Sequence, residues 1–403
     1  MKKKINVDQL KPGMFIHDFN CSWLDHPFFG NSLKVTDTKT INKIVNNGIH
    51  EVYIDTEKGL DVADAPTEEE VFQEIQAEIN QVAEINLGTG KVPFQEEIVK
   101  AKEIRKEAKQ TIIHLMDDIR FGRQIETEKV EHIVVKMVRS IFRNQGALIC
   151  LGRIKQADEY TYLHSISVCA LMISFGIQLG LDFQQLKDIG IGAMLHDIGK
   201  MKVPQEILNR TGPLSDEEYE KIKEHVEYSR MLLEELPGMA DTSILLAAQH
   251  HERMDGSGYP NGLKGNEIST FGQIAAIVDV YDAITSERCY RRKVSPTVVL
   301  RKLFEWSKFH FNSELVQQFI RCVGIYPVGS LVRLESGFLA VVIDHRENDL
   351  LHPTVRIMYD TKTGKHITPY DIDLSGSFNS GRKDRIQKHE SPDEWNIDSQ
   401  MYI

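Results

Sequence analysis

Adjacent His196 and Asp197, in the string MLHDIGKM, place an imidazole beside a carboxylate that can hold one metal ion and bridge to a second. Alone the dipeptide means little. Here His225 follows, then the adjacent pair His250 and His251, then Asp279, with His164 ahead of them all. Each lies on or beside an apolar, helix-like segment. Together they offer nitrogen and oxygen donors with no cysteine, a set suited to a non-haem di-iron, di-manganese or mixed site. In this reading His164, His196 and Asp279 hold one ion, His225, His250 and His251 the other, and Asp197 bridges. Two such ions share a hydroxide and aim it at phosphorus, which predicts hydrolysis of a phosphoester. Any one of these residues taken singly reads as a hydrogen-bonded core histidine or an ion-paired carboxylate. Buried together without metal, each would need a partner of its own.

Lys200, in HDIGK, can neutralise a phosphate oxygen beside the metals, or be an ordinary surface lysine. Arg288, Arg291, Arg292 and Lys293 form a basic cluster after Asp279 that could clamp a phosphodiester, with Tyr290 stacking on a base. A solvated basic turn is the equal alternative. Between His251 and Asp279 runs ERMDGSGYPNGLKGNEIS, too rich in glycine and proline for a helix. Its amides could approach an anion, or it could be a structural turn.

These side chains need helices to hold them. Residues 126–325 read as mostly helical. Ser215 and Glu218 form a capping box that starts a helix running to about Leu236, stopped by Pro237-Gly238, with His225 turned inward beside Ile222, Val226, Met231 and Leu233. Thr242–Gln249 delivers His250 and His251 at its end. Ile274–Thr285 is apolar apart from Asp279 and Asp282, three residues apart on nearly one face. Ahead of this unit, residues 1–64 read as a small α/β domain, with a helix over Thr38–Asn47, a stop at Gly48 and a strand over His50–Asp55. Residues 65–125 read as an acidic, solvated, partly helical linker and then a helix whose stripe Ile104, Ala108, Ile112, Leu115, Ile119 packs on the next domain or on a second copy of the chain. Residues 326–403 read as a β-rich extension to about Asp371, with a polar, poorly ordered end from Ser375.

The chain has 403 residues and a net charge of −11, which disfavours broad DNA or RNA binding but not a small anionic ligand held by local metals and basic groups. No unbroken run of 18 apolar residues and no secretory signal is evident. The five scattered cysteines read as reduced thiols, so a cytoplasmic location is expected.

HDIGK, HHERMDGSGYP and VDVYDAITSERCYRR together resemble the HD-GYP domain, a bacterial variant of the HD phosphohydrolase superfamily. LKPGMFI, SWLDHPFF and VYIDTEKG resemble the uncharacterised domain that often precedes it. The resemblance implies an all-α catalytic domain and a di- or trinuclear iron or manganese centre. It also implies hydrolysis of cyclic di-GMP or 3'3'-cyclic GMP-AMP to a linear dinucleotide. His164, His196, Asp197, His225, His250, His251 and Asp279 fall on its ligand positions, and Lys200, Arg288 and Arg291 on positions that contact substrate phosphate. Gly258, Tyr259 and Pro260 are its name-giving triplet and are taken as substrate contacts. Trinuclear members carry a glutamate four residues before the first histidine, where this chain has Tyr160, so two metal ions are expected. The alternative is a non-catalytic receptor for the same nucleotide. A homodimer through the helices ahead of the catalytic domain is a further expectation.

Overall fold

The computed structural model describes residues 1–403 except 22–25, 27, 29–31, 84–91, 124, 126, 153–159, 209, 211, 213, 287–293, 347–348, 376–383 and 403. It is a helical domain flanked by a small α/β domain and a β-rich extension.

The N-terminal domain is an antiparallel sheet of β1 (Lys2–Asn6), β2 (Phe15–Asp18), β3 (Leu33–Lys34) and β4 (Glu51–Asp55), in the order β1-β4-β2-β3. One helix, α1 (Thr38–Asn46), packs on it. Asp37 caps α1 by accepting from the Thr40 amide at 2.8 Å. Gly48 ends it at φ +69°, a left-handed backbone that suits glycine. Ile16, Ile44, Val52 and Ile54 fill the small core.

The acidic segment is more than a linker. Glu68–Ala83 forms α2, and Val71 and Ile75 are buried in the main core, with α2 set against later helices. These two apolar side chains, a turn apart, seat a helix whose sequence is rich in acids. The 27-residue α3 (Phe94–Arg120) buries all of its predicted stripe against its own chain, on α4 (Thr127–Arg143) and α5 (Gln145–Gly152). That stripe is therefore covered without a second copy.

The helical domain continues with α6 (Tyr160–Gln178), α7 (Phe183–Leu195), the short α8 (Gln205–Leu208), α9 (Asp216–Glu234), α10 (Asp241–Gln249), α11 (Thr270–Thr285), α12 (Pro296–Trp306) and α13 (Ser313–Val323). The Ser215–Glu218 capping box opens α9 as expected, but the helix ends at Glu234, ahead of Leu236. Met231 is 47% exposed, since it sits on the face of α9 opposite His225 and Val226. Thr161–Gln178 is long and apolar enough to cross a membrane by length and composition, with mean hydropathy 1.3, but 78% of it is buried inside this chain. A core helix shielded on all sides has the same composition.

The extension is an antiparallel sheet of β5 (Leu331–Leu334), β6 (Phe338–Arg346), β7 (Asp349–Asp360), β8 (Lys365–Asp373) and β9 (Ile386–His389), in the order β8-β7-β6-β5-β9. The polar end is thus partly ordered. β9 pairs with β5, and α14 (Pro392–Trp395) follows it. Trp395 packs against Tyr359, and its indole NH donates to Glu390 at 3.2 Å. Among the described residues no cysteine forms a disulfide.

Candidate metal centre

Five helices and the turns that follow two of them bring the seven predicted donors together. His164 comes from the first turns of α6. His196 ends α7, and Asp197 starts the 3-10 turn Ile198–Lys202. His225 lies midway along α9, His250 and His251 follow α10, and Asp279 lies within α11. All seven are buried. The tight turn after Asp197 depends on Gly199. A Cβ there would lie 2.0 Å from the His225 carbonyl oxygen and 2.5 Å from the Ser229 amide, so only glycine lets the turn reach α9. The Gly199 amide donates to Ser229 Oγ at 2.9 Å, tying the turn to the helix that carries His225.

The donors fall into overlapping groups whose ligand atoms lie within 4.8 Å of one another: His164, His196 and Asp279; His225, His250 and His251; and His196, Asp197 and His250. Asp197 stands between the first two. Its Oδ2 is 3.4 Å from His196 Nε2 and 3.7 Å from His164 Nε2, and its Oδ1 is 3.2 Å from His225 Nε2 and 3.9 Å from His250 Nε2. His164 Nε2 also lies 2.9 Å from Asp279 Oδ1.

Local hydrogen bonds aim the rings. His196, His225 and His250 each direct Nδ1 at the carbonyl three residues back, Ala193 at 2.7 Å, Ile222 at 2.5 Å and Ala247 at 2.7 Å. A carbonyl only accepts, so Nδ1 carries the proton and Nε2 turns its lone pair into the cluster. His164 does the same with a carboxylate, since its Nδ1 lies 2.6 Å from Asp282 Oδ2. His251 stacks on Tyr259 with ring centroids 4.6 Å apart.

The donor set fits bound divalent metal. His196 Nε2, His225 Nε2, His250 Nε2, His251 Nδ1, Asp197 Oδ1 and Asp279 Oδ2 are buried and make no hydrogen bond. Leaving so many polar atoms dry and unsatisfied is costly, and cations at their focus would satisfy them. The electrostatics agree. Burial and the neighbouring imidazoles hold His250 and His251 well below 6.5, as neutral donors. Burial opposes charge on Asp197, but Lys200 and His196 outweigh it and keep the carboxyl well below its usual range. Asp279 is held down likewise by His164 and His251 against its burial. His196 runs the other way: burial opposes its charge, yet Asp197 and Asp279 raise its pKa, a pull toward the charged ring that a bound cation would reverse.

Lys200 bonds Asp197 Oδ2 from the rim of the centre, at 23% side-chain exposure, and so is no ordinary surface lysine. Gly258 lies against the backbone of Glu252 and Arg253, where a Cβ would come within 2.5 Å. Tyr259 is joined to Pro260 by a cis peptide bond, and its amide donates to the His251 carbonyl at 3.1 Å. The loop is thereby fastened to the His250–His251 pair. Arg288, Tyr290 and Arg291 lie outside the described residues. Of Tyr160 only the backbone is described, at the first position of α6.

Three further groups position the site. Asp282 is legible from its spacing to Asp279, though the sequence assigns it no role. Glu252, buried beside His251, accepts from the Asn261 and Leu263 amides at 2.8 and 3.0 Å and holds the loop, with no signal in the sequence beyond its place in the motif. Ser229, one turn after His225, has no sequence signal at all.

Comparison with known proteins fits this architecture. Residues 2–130 match a family described as a domain of unknown function, DUF3391, and residues 141–315 match the HD domain. The chain is 36% identical to the cyclic di-GMP phosphodiesterase PA4108 of Pseudomonas aeruginosa, over 98% of this chain and 94% of that protein. It is 36% identical to the 3'3'-cGAMP-specific phosphodiesterase 1 of Vibrio cholerae over 38% of this chain and 36% of that protein. It is 34% identical to a cyclic di-GMP phosphodiesterase of Thermotoga maritima over 41% of this chain and 45% of that protein.

Proposed function

The chain belongs to the HD-GYP family of cyclic dinucleotide phosphodiesterases, and we propose that it hydrolyses cyclic di-GMP or 3'3'-cyclic GMP-AMP to a linear dinucleotide at a centre of two divalent ions, iron or manganese. The reading rests on one observation. Six buried donor atoms on the clustered residues have no hydrogen-bond partner, while the Nδ1 atoms of His196, His225 and His250 are each taken up by a carbonyl.

His164, His196 and Asp279 would hold one ion, and His225, His250 and His251 the other, with Asp197 between them. When bound, such a pair makes water acidic enough to attack as hydroxide at neutral pH and offsets charge on the phosphate. The chain's own groups do the rest. Asp197, ionised and buried, fixes the spacing of the two halves. Lys200 at the rim neutralises a phosphate oxygen. Gly258, Tyr259 and Pro260 border the site on the His251 side and contact the nucleotide. Arg288 and Arg291 contact phosphate and Tyr290 stacks on a base in this reading. Action in the cytoplasm is part of this reading.

The test is turnover of cyclic di-GMP and of 3'3'-cyclic GMP-AMP by purified full-length chain whose metals have been counted. Appearance of linear dinucleotide with Fe(II) or Mn(II) is expected. Binding without cleavage by fully loaded protein would replace this reading with that of a receptor.

A further inference from the structure

The N-terminal domain touches the loop that carries Gly258 and Tyr259. The turn after α1 meets it directly. His50 Nε2 lies 2.7 Å from Asp255 Oδ2, and since a carboxylate only accepts, the ring donates. Gly48 lies so close to Ser257 that a Cβ on it would fall 2.0 Å from the Ser257 Cβ. The His50 ring stacks on Phe309 with centroids 4.4 Å apart. On the far side, the Met254 amide donates to the His310 carbonyl at 3.0 Å, and His310 Nδ1 is 3.5 Å from Asp255 Oδ2. Asp255 in turn accepts from the Ser257 amide and hydroxyl, at 3.0 and 2.6 Å. The loop is thus gripped between the turn after α1 and the residues after α12.

The two gripping pieces are themselves joined. Glu305, on α12 and buried, accepts from Asn20 Nδ2 at 3.1 Å and from the Tyr53 hydroxyl at 3.0 Å, and pairs with Lys4. Trp306 Nε1 donates to Asn20 at 3.0 Å, and Lys302 reaches Asp18 at 2.7 Å. The sheet of the N-terminal domain is therefore anchored to α12, while its His50 turn reaches over to the loop.

We propose that the N-terminal domain is a positioning element for the Asp255–Pro260 loop, with His50 as its positioning residue. It does not touch substrate. It acts through Asp255, which sets the path of the chain into Gly258 and Tyr259, and Tyr259 stacks on His251. The inference rests on the reading of that loop as a substrate contact. Removing the His50 bond loosens the loop and weakens nucleotide binding, while the metal donors, held by their own helices, keep their places.

His50→Ala and His50→Gln in the full-length chain test this. His50 is 41% exposed, so both variants keep the fold. Hydrogen exchange at the 255–259 amides, metal content, KM and kcat are measured together. For His50→Ala, exchange at those amides and KM each rise roughly tenfold, the metal count stays that of the parent, and kcat changes by less than about twofold. The Gln variant, which keeps a donor, recovers most of the loss. Gly48→Ala, pressing on Ser257 from the same turn, raises exchange at the same amides. Unchanged exchange and KM in His50→Ala overturns the proposal, as does faster exchange spread evenly over the N-terminal domain. Should the parent fail to cleave either nucleotide, the proposed function falls, and exchange at the loop still decides this point.

Discussion

Asp282 accepts a 2.6 Å hydrogen bond from Nδ1 of His164, and the same ring presents Nε2 to Asp279, 2.9 Å away and on the same helix as Asp282. One turn of α11 thus supplies both a donor to the centre and the group that orients its neighbour. Removing Asp282 frees His164 to rotate. Asp282→Ala is predicted to weaken metal binding by about 10–100-fold. Competition with a chelator of known affinity measures this, and parental affinity would show the contact to be idle.

Asp197 lies between the two halves of the cluster. Asp197→Ala is expected to lose at least one metal ion per chain and to lower turnover by roughly a thousandfold or more. Metal counting and product formation are read on one preparation. A variant that stays loaded and active is incompatible with a bridging role.

Lys200 reaches Asp197 but belongs to no donor group. Lys200→Ala should therefore keep its metal and lose about 10–100-fold in kcat/KM, as expected for a lost charged contact to phosphate. Loss of metal along with activity would instead assign Lys200 to holding Asp197 in place.

Acid should destabilise the metal-free chain. His250 and His251 titrate well below 6.5 when folded, so the unfolded chain binds more protons just below that value. Their contribution is complete above about pH 6.5 and is lost as pH falls toward their depressed values. His196, raised by Asp197 and Asp279, contributes with the opposite sign, but it is one group against two. Urea midpoints of metal-free protein at pH 7 and pH 5.5 test the direction, and the midpoint at pH 5.5 should be the lower.

Glu305 ties the N-terminal sheet to α12 through Lys4, Tyr53 and Asn20, all buried. Glu305→Ala leaves these donors without that acceptor, although Lys4 keeps a second partner, Glu51 at 2.6 Å. A cost of about 3 kcal/mol is expected, visible as an earlier denaturation midpoint. An unchanged midpoint would mean that the anchor adds nothing.

The donor set is legible in the amino-acid order because metal binding demands particular residue types, and the helix signals around them are local. The capping box at Ser215 and the Asp279–Asp282 spacing fall in the same class. Contacts between residues far apart in the chain are not legible in this way. His50 and Asp255 are separated by 205 positions, and no periodicity links them. Residues 68–83 look like a solvated linker because acids crowd the sequence, yet among the described side chains Val71 and Ile75 meet the core and dock the helix. Met231 reads as inward because it sits within a run of apolar residues that outruns the width of the buried face. The end after Ser375 reads as polar because β9 lies at the margin of its sheet, where Gln387 and Lys388 face water.

With β9 in place, the peptide groups of Val332 and Arg333 have neighbours on both sides, β6 on one and β9 on the other. A chain cut before Asp384 would bare one flank of an apolar ribbon, the kind of open border through which separate molecules zip together. The final segment so acts as a guard against clumping. The shortened chain should scatter light at concentrations where the whole one stays dispersed.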